Sequence, residues 1–258
     1  MKTLIDKIII STRPLNEDDS IKDYLLEKGA TVLDFPMIKI FPVTLTDEIR
    51  NIFQHVSDYQ WIVFTSKNGV KYFFEFLNEL EINFDVLSSI KIAVVGKKTA
   101  VEVVKYYRQP DLISAGNNSA DLAYELAEVL KSTDKVLLAL AELANNKLEE
   151  RITNLCIVNR FNVYLTEDED LVSADIIERI KNDEYHIIIF TSPSGFRHFS
   201  KIMIEKNITA KIRAACIGTT TEDEMLKNNC KPLLVSSRSE GESFARQLEH
   251  YLIKNNSI

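Results

Sequence analysis

Hydrophobic residues along this chain occur in short unbroken runs, and amphipathic segments separate the runs. In those segments the apolar residues fall on one side of a helix, as Val70, Phe73 and Leu77 do. Unbroken runs indicate strands that are buried on both faces, and their alternation with helices indicates a parallel sheet covered on both sides. The predicted strands are IIIS (8–11), WIVF (61–64), IAVV (92–95), VLLAL (136–140), IIIF (187–190) and AACI (214–217).

This pattern occurs twice. Phe64-Thr65-Ser66 recurs 126 residues later as Phe190-Thr191-Ser192, and Gly96 after the next strand recurs 122 residues later as Gly218. Two further pairs have similar shifts: Ser114-Ala115 with Ser236-Ser237, and, more weakly, KIIISTRP (7–14) with KVLLALAE (135–142). Similar shifts in one order indicate a tandem-duplicated unit. The expected fold is therefore α/β, with two doubly wound parallel-sheet lobes.

Small polar residues follow the predicted strands at the points where helices begin. In doubly wound sheets, ligands bind beyond the carboxyl ends of the strands, where helix N-termini present N–H groups to anions. Serine or threonine at such a turn is also an ordinary helix cap, and for any single turn capping alone is the simpler interpretation. Several such turns along one rim of each lobe favour a binding surface for anionic groups.

Composition narrows the class of protein. The formal net charge of −7 and the lack of a basic stripe argue against nucleic acid as the partner. The unpaired cysteines Cys156, Cys216 and Cys230 indicate a reducing compartment without a disulfide framework or a zinc site. The N-terminus has no signal-peptide pattern, and no apolar run approaches the ~20 residues that span a membrane. We expect a cytoplasmic protein with no membrane partner.

Several catalytic signatures are missing from the chain. It has no G-x-G-x-x-G, no G-x-x-x-x-G-K-[ST] and no G-x-S-x-G, and its four histidines lack ligand spacing. We therefore expect no cofactor, no metal site and no strong protein nucleophile.

Six motifs together resemble the uroporphyrinogen-III synthase family, over essentially the whole chain. They are Ser11-Thr12-Arg13-Pro14, Phe64-Thr65-Ser66 with Asn68-Gly69-Val70, Val94-Val95-Gly96 with Thr99-Ala100, Val163-Tyr164 with Thr166, Phe190 to Gly195, and Ile217 to Thr221. The resemblance implies two lobes joined by a two-stranded β-ribbon hinge, with a cleft between them. It places 1–37 plus 170–258 in one lobe, 43–164 in the other, and the hinge at 38–42 and 165–169.

The resemblance also implies an activity: cyclisation of hydroxymethylbilane to uroporphyrinogen III, with loss of water and inversion of the last pyrrole ring through a spiro intermediate. The pyrrole nitrogen can itself expel the hydroxyl, so the enzyme's main task is to position the chain. The substrate carries acetate and propionate groups on every ring, which suits rims of helix N-termini. A monomer is expected, with possible hand-over from hydroxymethylbilane synthase.

By the same resemblance, Tyr164 is the candidate catalytic residue, where a phenol could protonate or hydrogen-bond the departing hydroxyl. An aromatic in a hinge strand is the alternative interpretation. The candidate substrate-binding residues are Thr12, Arg13, Ser66, Lys67, Asn68, Gly96, Lys97, Thr99, Ser192, Pro193, Ser194, Gly195, Thr220 and Thr221. They are expected to act largely through backbone N–H groups.

The two copies differ in charge, because Lys97-Lys98 follows Gly96 whereas Gly218 is followed by threonines and then by Glu222-Asp223-Glu224. The chain also departs from the family pattern, with Ala141-Glu142 where an Arg-Gly pair is common and Leu165 where arginine is common. Two alternatives stay open: a non-catalytic tetrapyrrole- or small-anion-binding module on the same fold, and a two-lobed binding protein of the periplasmic type.

Overall fold

The structure, a computed structural model, describes residues 2–15, 19–116, 118–236 and 241–255. Ser237, which the repeat pairs with Ala115, lies outside the described residues. Among the residues described, no helix combines the length and the apolar character needed to cross a bilayer.

The six strands that the unbroken apolar runs predict all form, and helices separate most of the strands along the chain. The strands are β1 (Ile8–Ser11), β2 (Thr31–Asp34), β3 (Ile38–Pro42), β4 (Trp61–Phe64), β5 (Lys91–Val95), β6 (Leu112–Ser114), β7 (Lys135–Ala141), β8 (Ile157–Asp168), β9 (Ile187–Phe190), β10 (Ala214–Ile217) and β11 (Leu234–Ser236). The helices are α1 (Ser20–Glu27), α2 (Asp47–Gln54), α3 (Lys67–Glu79), α4 (Gly96–Tyr106), α5 (Ser119–Ala127), α6 (Lys147–Ile152), α7 (Ala174–Lys181), α8 (Pro193–Glu205), α9 (Thr219–Lys227) and α10 (Gly241–Lys254).

The chain divides into two compact units. The first unit comprises Met1–Lys39 and Glu167–Ile258, and the second comprises Ile40–Thr166. The chain therefore leaves the first unit once and returns to it once, so that the N-terminal strands join the sheet of the C-terminal half.

Each unit is built on one sheet. The sheet of the first unit has the strand order β2-β1-β9-β10-β11, and its strands pair in parallel. The sheet of the second unit has the order β3-β8-β7-β4-β5-β6, in which β8, β7, β4, β5 and β6 pair in parallel. The predicted α/β fold with parallel sheets is confirmed.

The duplication is visible in these strand orders. Reading β2-β1-β9-β10-β11 beside β8-β7-β4-β5-β6 matches β9 with β4, β10 with β5 and β1 with β7, which agrees with the sequence repeat. In the second unit β4 precedes β7 along the chain, whereas β1 precedes β9 in the first unit. The two units therefore share one spatial order but are circularly permuted relative to each other.

Both faces of each sheet are covered by apolar side chains. In the second unit, Phe64 and Phe73 lie in the cluster on one face, and Val63 and Leu138 lie in the cluster on the other. The predicted helix face of Val70, Phe73 and Leu77 is fully buried, and its counterpart on α8 is buried as well. Burying side chains of this size contributes about 2 kcal/mol each, which explains the unbroken apolar runs in the strands.

The sheets also explain where polar residues collect. In the first unit, α1 follows β1 and α8 follows β9, and these two helices pack on opposite faces of the sheet. In the second unit, α6 follows β7 and α3 follows β4, and they also pack on opposite faces. The helices therefore change side between β1 and β9 in the first sheet and between β7 and β4 in the second. Such a topological switch point leaves a crevice at the carboxyl ends of the strands. The polar turns after β1, β4 and β9 all lie at these two switch points.

Candidate active site

At the switch point of the second unit, Ser66 is the N-cap of α3. Its Oγ accepts the backbone N–H of Gly69 at 3.0 Å. The next residues, Lys67 and Asn68, form the first helical turn, and both are partly exposed. The first N–H groups of a helix have no carbonyl partner within the helix and carry partial positive charge. This turn can therefore bind a carboxylate beside a lysine side chain.

Tyr164 lies directly against this cap. Its hydroxyl is 3.1 Å from Ser66 Oγ, and its side chain is largely buried on β8. The ring of Tyr72 stands 6.0 Å from the Tyr164 ring, and the Tyr72 hydroxyl donates to the carbonyl of Ile40 at 3.1 Å. The phenol of Tyr164 is thus held at the carboxyl end of the sheet, against the N-terminus of α3.

A β-bulge gives Tyr164 this orientation. Leu140 pairs with Asn162, but the next residue, Ala141, pairs with Tyr164, so Val163 is the extra residue. In a regular strand Val163 and Tyr164 would point to opposite faces. Here both belong to the same apolar cluster, because a bulge shifts the alternation and re-aims the following side chain.

The turn after β5 adds the next part of this rim. Gly96 has a φ of +70°, a left-handed conformation that favours glycine. Lys97 and Lys98 lie at the start of α4 and both are exposed, whereas Thr99 is 4 % exposed. Cations are therefore available at this helix N-terminus, and Thr99 can reach a ligand through its backbone rather than through its hydroxyl.

At the switch point of the first unit, Thr12 follows β1. It is buried, and its hydroxyl donates to the carbonyl of Ile189 at 2.8 Å, which ties the end of β1 to β9. Arg13 Nε lies 3.2 Å from a carboxylate oxygen of Asp19, and both side chains are mostly buried. The Arg13 charge is thus partly neutralised before any ligand binds.

Ser192 repeats the arrangement of Ser66. Its Oγ accepts the N–H of Gly195 at 3.1 Å, and its φ and ψ of −150° and 150° match the −150° and 157° of Ser66. Two differences distinguish this cap: Pro193 removes the first N–H of α8, and the group beside Ser192 Oγ is the hydroxyl of Ser194 at 3.3 Å. The first unit therefore offers fewer donors at this turn.

The turn after β10 matches the turn after β5. Gly218 has a φ of +78°, and a Cβ there would meet nothing within 4 Å, so the glycine serves the backbone conformation alone. Thr220 is exposed, whereas Thr221 is 1 % exposed. Like Thr99, Thr221 can reach a ligand only through its backbone.

Two partners of the site carry no motif in the sequence. Tyr72 contacts Tyr164 from α3, and Arg160 holds the loop after β7. The Arg160 guanidinium donates to the carbonyl oxygens of Ala141, Glu142 and Ala144 at 3.2–3.4 Å and to Asn146 at 2.7 Å. In this loop the Glu142 N–H donates to the Tyr164 carbonyl at 3.2 Å.

The cysteines do not supply a nucleophile to either rim. Burial raises the pKa of Cys216 to about 12 and also raises the pKa values of Cys156 and Cys230. A thiol with a raised pKa stays protonated near neutral pH and is unreactive. Within the described ranges, no group of three or more His, Cys, Asp or Glu side chains is arranged to hold a metal ion.

Comparison with known proteins supplies the family. The family model "Uroporphyrinogen-III synthase HemD" matches residues 19–246. The chain is 27 % identical over 231 residues to the porphyrin biosynthesis protein HemD of Ruminiclostridium josui, covering 89 % of this chain but 46 % of that protein. It is 26 % identical over 258 residues to the uroporphyrinogen-III synthase of Chlorobaculum parvum, covering 95 % of this chain and 99 % of that protein.

A solved structure agrees with the fold. A mutant uroporphyrinogen III synthase from the bacterium Thermus thermophilus superposes with a TM-score of 0.65 at 16 % identity, covering 96 % of this chain and 100 % of that chain. With the family model matching most of the chain, the motifs after β1, β4, β5, β9 and β10 and the motif within β8 have a common explanation. The chain belongs to the uroporphyrinogen-III synthase family.

Proposed function

We propose that this protein catalyses the closure of hydroxymethylbilane to uroporphyrinogen III, as a lyase that releases water. The observation that carries the proposal is the family match across residues 19–246. The site supports it, since the residues that carry the resemblance lie at the carboxyl ends of the strands in both units.

The chemistry requires positioning more than reactive groups. The pyrrole nitrogen of the first ring supplies the electron pair as the C–O bond breaks, and the hydroxyl leaves as water. The substituted carbon of the last ring then attacks the resulting azafulvene, and the spiro intermediate rearranges to the closed macrocycle. Holding such a near-attack geometry is worth several kcal/mol of barrier. A buried tyrosine and rims of backbone N–H groups are sufficient for this task.

Carboxylate binding is assigned to both rims. In the second unit we propose Ser66, Lys67, Asn68, Gly96, Lys97 and Thr99, and in the first unit Thr12, Arg13, Ser192, Pro193, Ser194, Gly195, Thr220 and Thr221. Support comes from the serine-capped first turns of α3 and α8 and from the cations of the second unit. Where Ser66, Thr99 and Thr221 contribute, they do so through backbone N–H groups.

Tyr164 is proposed as the donor to the departing hydroxyl. Its phenol lies against the positive end of α3, which stabilises negative charge that develops on the oxygen. Leu165 stands where the family often has arginine, so this chain relies on Lys67, Lys97 and Lys98 for positive charge near the site.

The remaining assignments concern the setting of the enzyme. We propose that it works in the cytoplasm as a monomer and accepts its substrate from hydroxymethylbilane synthase. We also propose that 38–42 and 165–169 act as the hinge. The chain passes between the two units at Lys39–Ile40 and at Thr166–Glu167, both within these segments.

The test is a product analysis. Freshly generated hydroxymethylbilane is mixed with the pure protein, the products are oxidised, and the porphyrin isomers are separated by chromatography. Mostly type III isomer is the expected result. Type I isomer alone, as in the control without enzyme, would contradict the proposal and favour a non-catalytic tetrapyrrole-binding module.

A further inference from the structure

We propose that Ser66 is a positioning residue for the Tyr164 phenol, and that its side chain is not a direct ligand of the substrate. This inference rests on the proposed function, because it assigns Tyr164 a part in the loss of water. It starts from the 3.1 Å contact between Ser66 Oγ and the Tyr164 hydroxyl.

Two of the three hydrogen-bonding positions of the Ser66 hydroxyl are already used. A serine hydroxyl has one hydrogen and two acceptor lone pairs. One lone pair accepts the N–H of Gly69 at 3.0 Å, and the contact with Tyr164 uses the hydrogen or the second lone pair. When that hydrogen goes to Tyr164, the Ser66 hydroxyl has no donor left for a substrate carboxylate, and its side chain acts inside the protein.

The helix cap also favours one direction for the hydrogen bond between Ser66 and Tyr164. The Gly69 N–H and the partial positive charge at the start of α3 draw electron density from Ser66 Oγ, which makes its hydroxyl the better donor. When Ser66 donates to the Tyr164 oxygen in the substrate complex, the phenolic hydrogen turns to the departing hydroxyl. The electron pair of the breaking C–O bond goes to the oxygen, which takes this proton and leaves as water, and Ser66 supports the phenolate oxygen that remains.

Two other features hold the same phenol. The bulge at Val163 turns Tyr164 towards α3, and the ring of Tyr72 packs 6.0 Å from it. At the matching cap of the first unit, Ser192 contacts the hydroxyl of Ser194 where Ser66 contacts a tyrosine.

The experiment is a double-mutant cycle on kcat with hydroxymethylbilane as substrate, using Ser66→Ala, Tyr164→Phe and the double variant. Tyr164→Phe is expected to lower kcat about 100-fold, the scale of a general acid. Ser66→Ala is expected to lower kcat about tenfold with little change in KM, the scale of one hydrogen bond. In the Tyr164→Phe background, Ser66→Ala should lower kcat no further, because Ser66 acts through the phenol.

Two further variants separate positioning from folding. Ser66→Thr retains both the cap and the hydroxyl donor and should restore kcat to within about threefold of the wild type. Ser173→Ala removes the cap of α7, where Ser173 Oγ accepts the N–H of Ile176 at 3.4 Å. It should lower stability by a similar amount and leave kcat unchanged, so it controls for the loss of a helix cap as such.

The outcomes are distinct. If the wild type yields only the type I isomer, the proposed function falls, and the inference falls with it. If the wild type yields type III but Ser66→Ala lowers kcat by the same factor with and without the Tyr164 hydroxyl, the function stands and the inference is overturned. A rise in KM alone for Ser66→Ala would also overturn it, because that result would make the Ser66 side chain a direct ligand of the substrate.

Discussion

His186 gives the first unit an acid-sensitive contact that its counterpart in the second unit lacks. The N–H of Ile8, at the start of β1, donates to His186 Nδ1 at 3.0 Å, and the His186 backbone N–H donates back to the Ile8 carbonyl at 2.8 Å. At the start of β7 the same reciprocal pair joins Lys135 and Gln60, whose side-chain oxygen accepts at 2.8 Å. Glutamine cannot be protonated between about pH 5 and 8, whereas histidine can.

The direction of the pH effect follows from the contact. Burial lowers the pKa of His186 from its ordinary value, and the nearby charges of Lys7 and Arg213 lower it further. A histidine with a lowered folded pKa binds protons more readily in the unfolded chain. Its contribution to stability is therefore complete above an ordinary pKa of about 6.5 and is lost as the pH falls below that value.

The magnitude is set by one hydrogen bond. Protonation of Nδ1 removes an acceptor worth about 1 kcal/mol of net stability. One proton taken up only on unfolding gives a slope of at most about 1.4 kcal/mol per pH unit. Because the ring is only partly buried, solvent screens the charge and the slope stays below this limit. We expect His186→Gln to match the wild type near pH 7.5 and to exceed its stability by about 1 kcal/mol near pH 5.

The assay is urea denaturation at about pH 7.5 and about pH 5, followed by circular dichroism and by fluorescence. The single tryptophan, Trp61, lies in the second unit, so its fluorescence reports the unit that does not contain His186. The difference should appear in the circular dichroism transition. The exposed histidine His250 gives a matched control, since His250→Gln should show no pH-dependent gain. Parallel loss of stability in wild type and His186→Gln would refute the reasoning.

The remaining predictions concern the two rims. Reversing the charges of Lys97 and Lys98 should raise KM about tenfold at low salt, by analogy with exposed charge pairs, and this change should exceed the change in KM on neutralising Glu222–Glu224. Measuring KM at several salt concentrations checks the electrostatic origin of the effect. Equal changes in KM for the two sets of variants would contradict the prediction. Gly69→Ala would place a Cβ 3.1 Å from the Ala139 carbonyl oxygen, a backbone atom, and should cost about 1–2 kcal/mol of stability. Gly195→Ala meets the side-chain oxygen of Ser192 at 3.1 Å and not a backbone atom, so it should cost less than Gly69→Ala, and equal shifts in thermal unfolding would refute the comparison.

Much of the candidate site was visible as local pattern. Ser66 and Ser192 each follow a buried run and precede a helix, and short polar residues at that place predict caps because their oxygens accept N–H groups of the first turn. Both predicted caps form in the structure. Whether these turns also bind carboxylates stays a prediction, since capping does not exclude a ligand on the remaining N–H groups.

The orientation of Tyr164 was not readable in the same way. Strict alternation along β8 would place Tyr164 on the face opposite Val163, and only the bulge beside Ala141 puts both on one face. A bulge depends on how two strands pair across the sheet, which local sequence does not encode. Arg160 and Tyr72 were missed for the same reason, because their partners include residues distant in the sequence.

The sequence by itself determined the six strands with unbroken apolar runs, the helix faces beside them and the duplication, because burial on both faces of a sheet requires unbroken apolar runs and each helix requires one apolar face. Tertiary structure decided which strands stand together. It placed β1 beside β9 and β4 beside β7, and so created the switch points where the polar turns meet. That choice depends on packing between segments far apart in the chain, and it brings the Tyr164 hydroxyl to Ser66 across 98 positions of sequence.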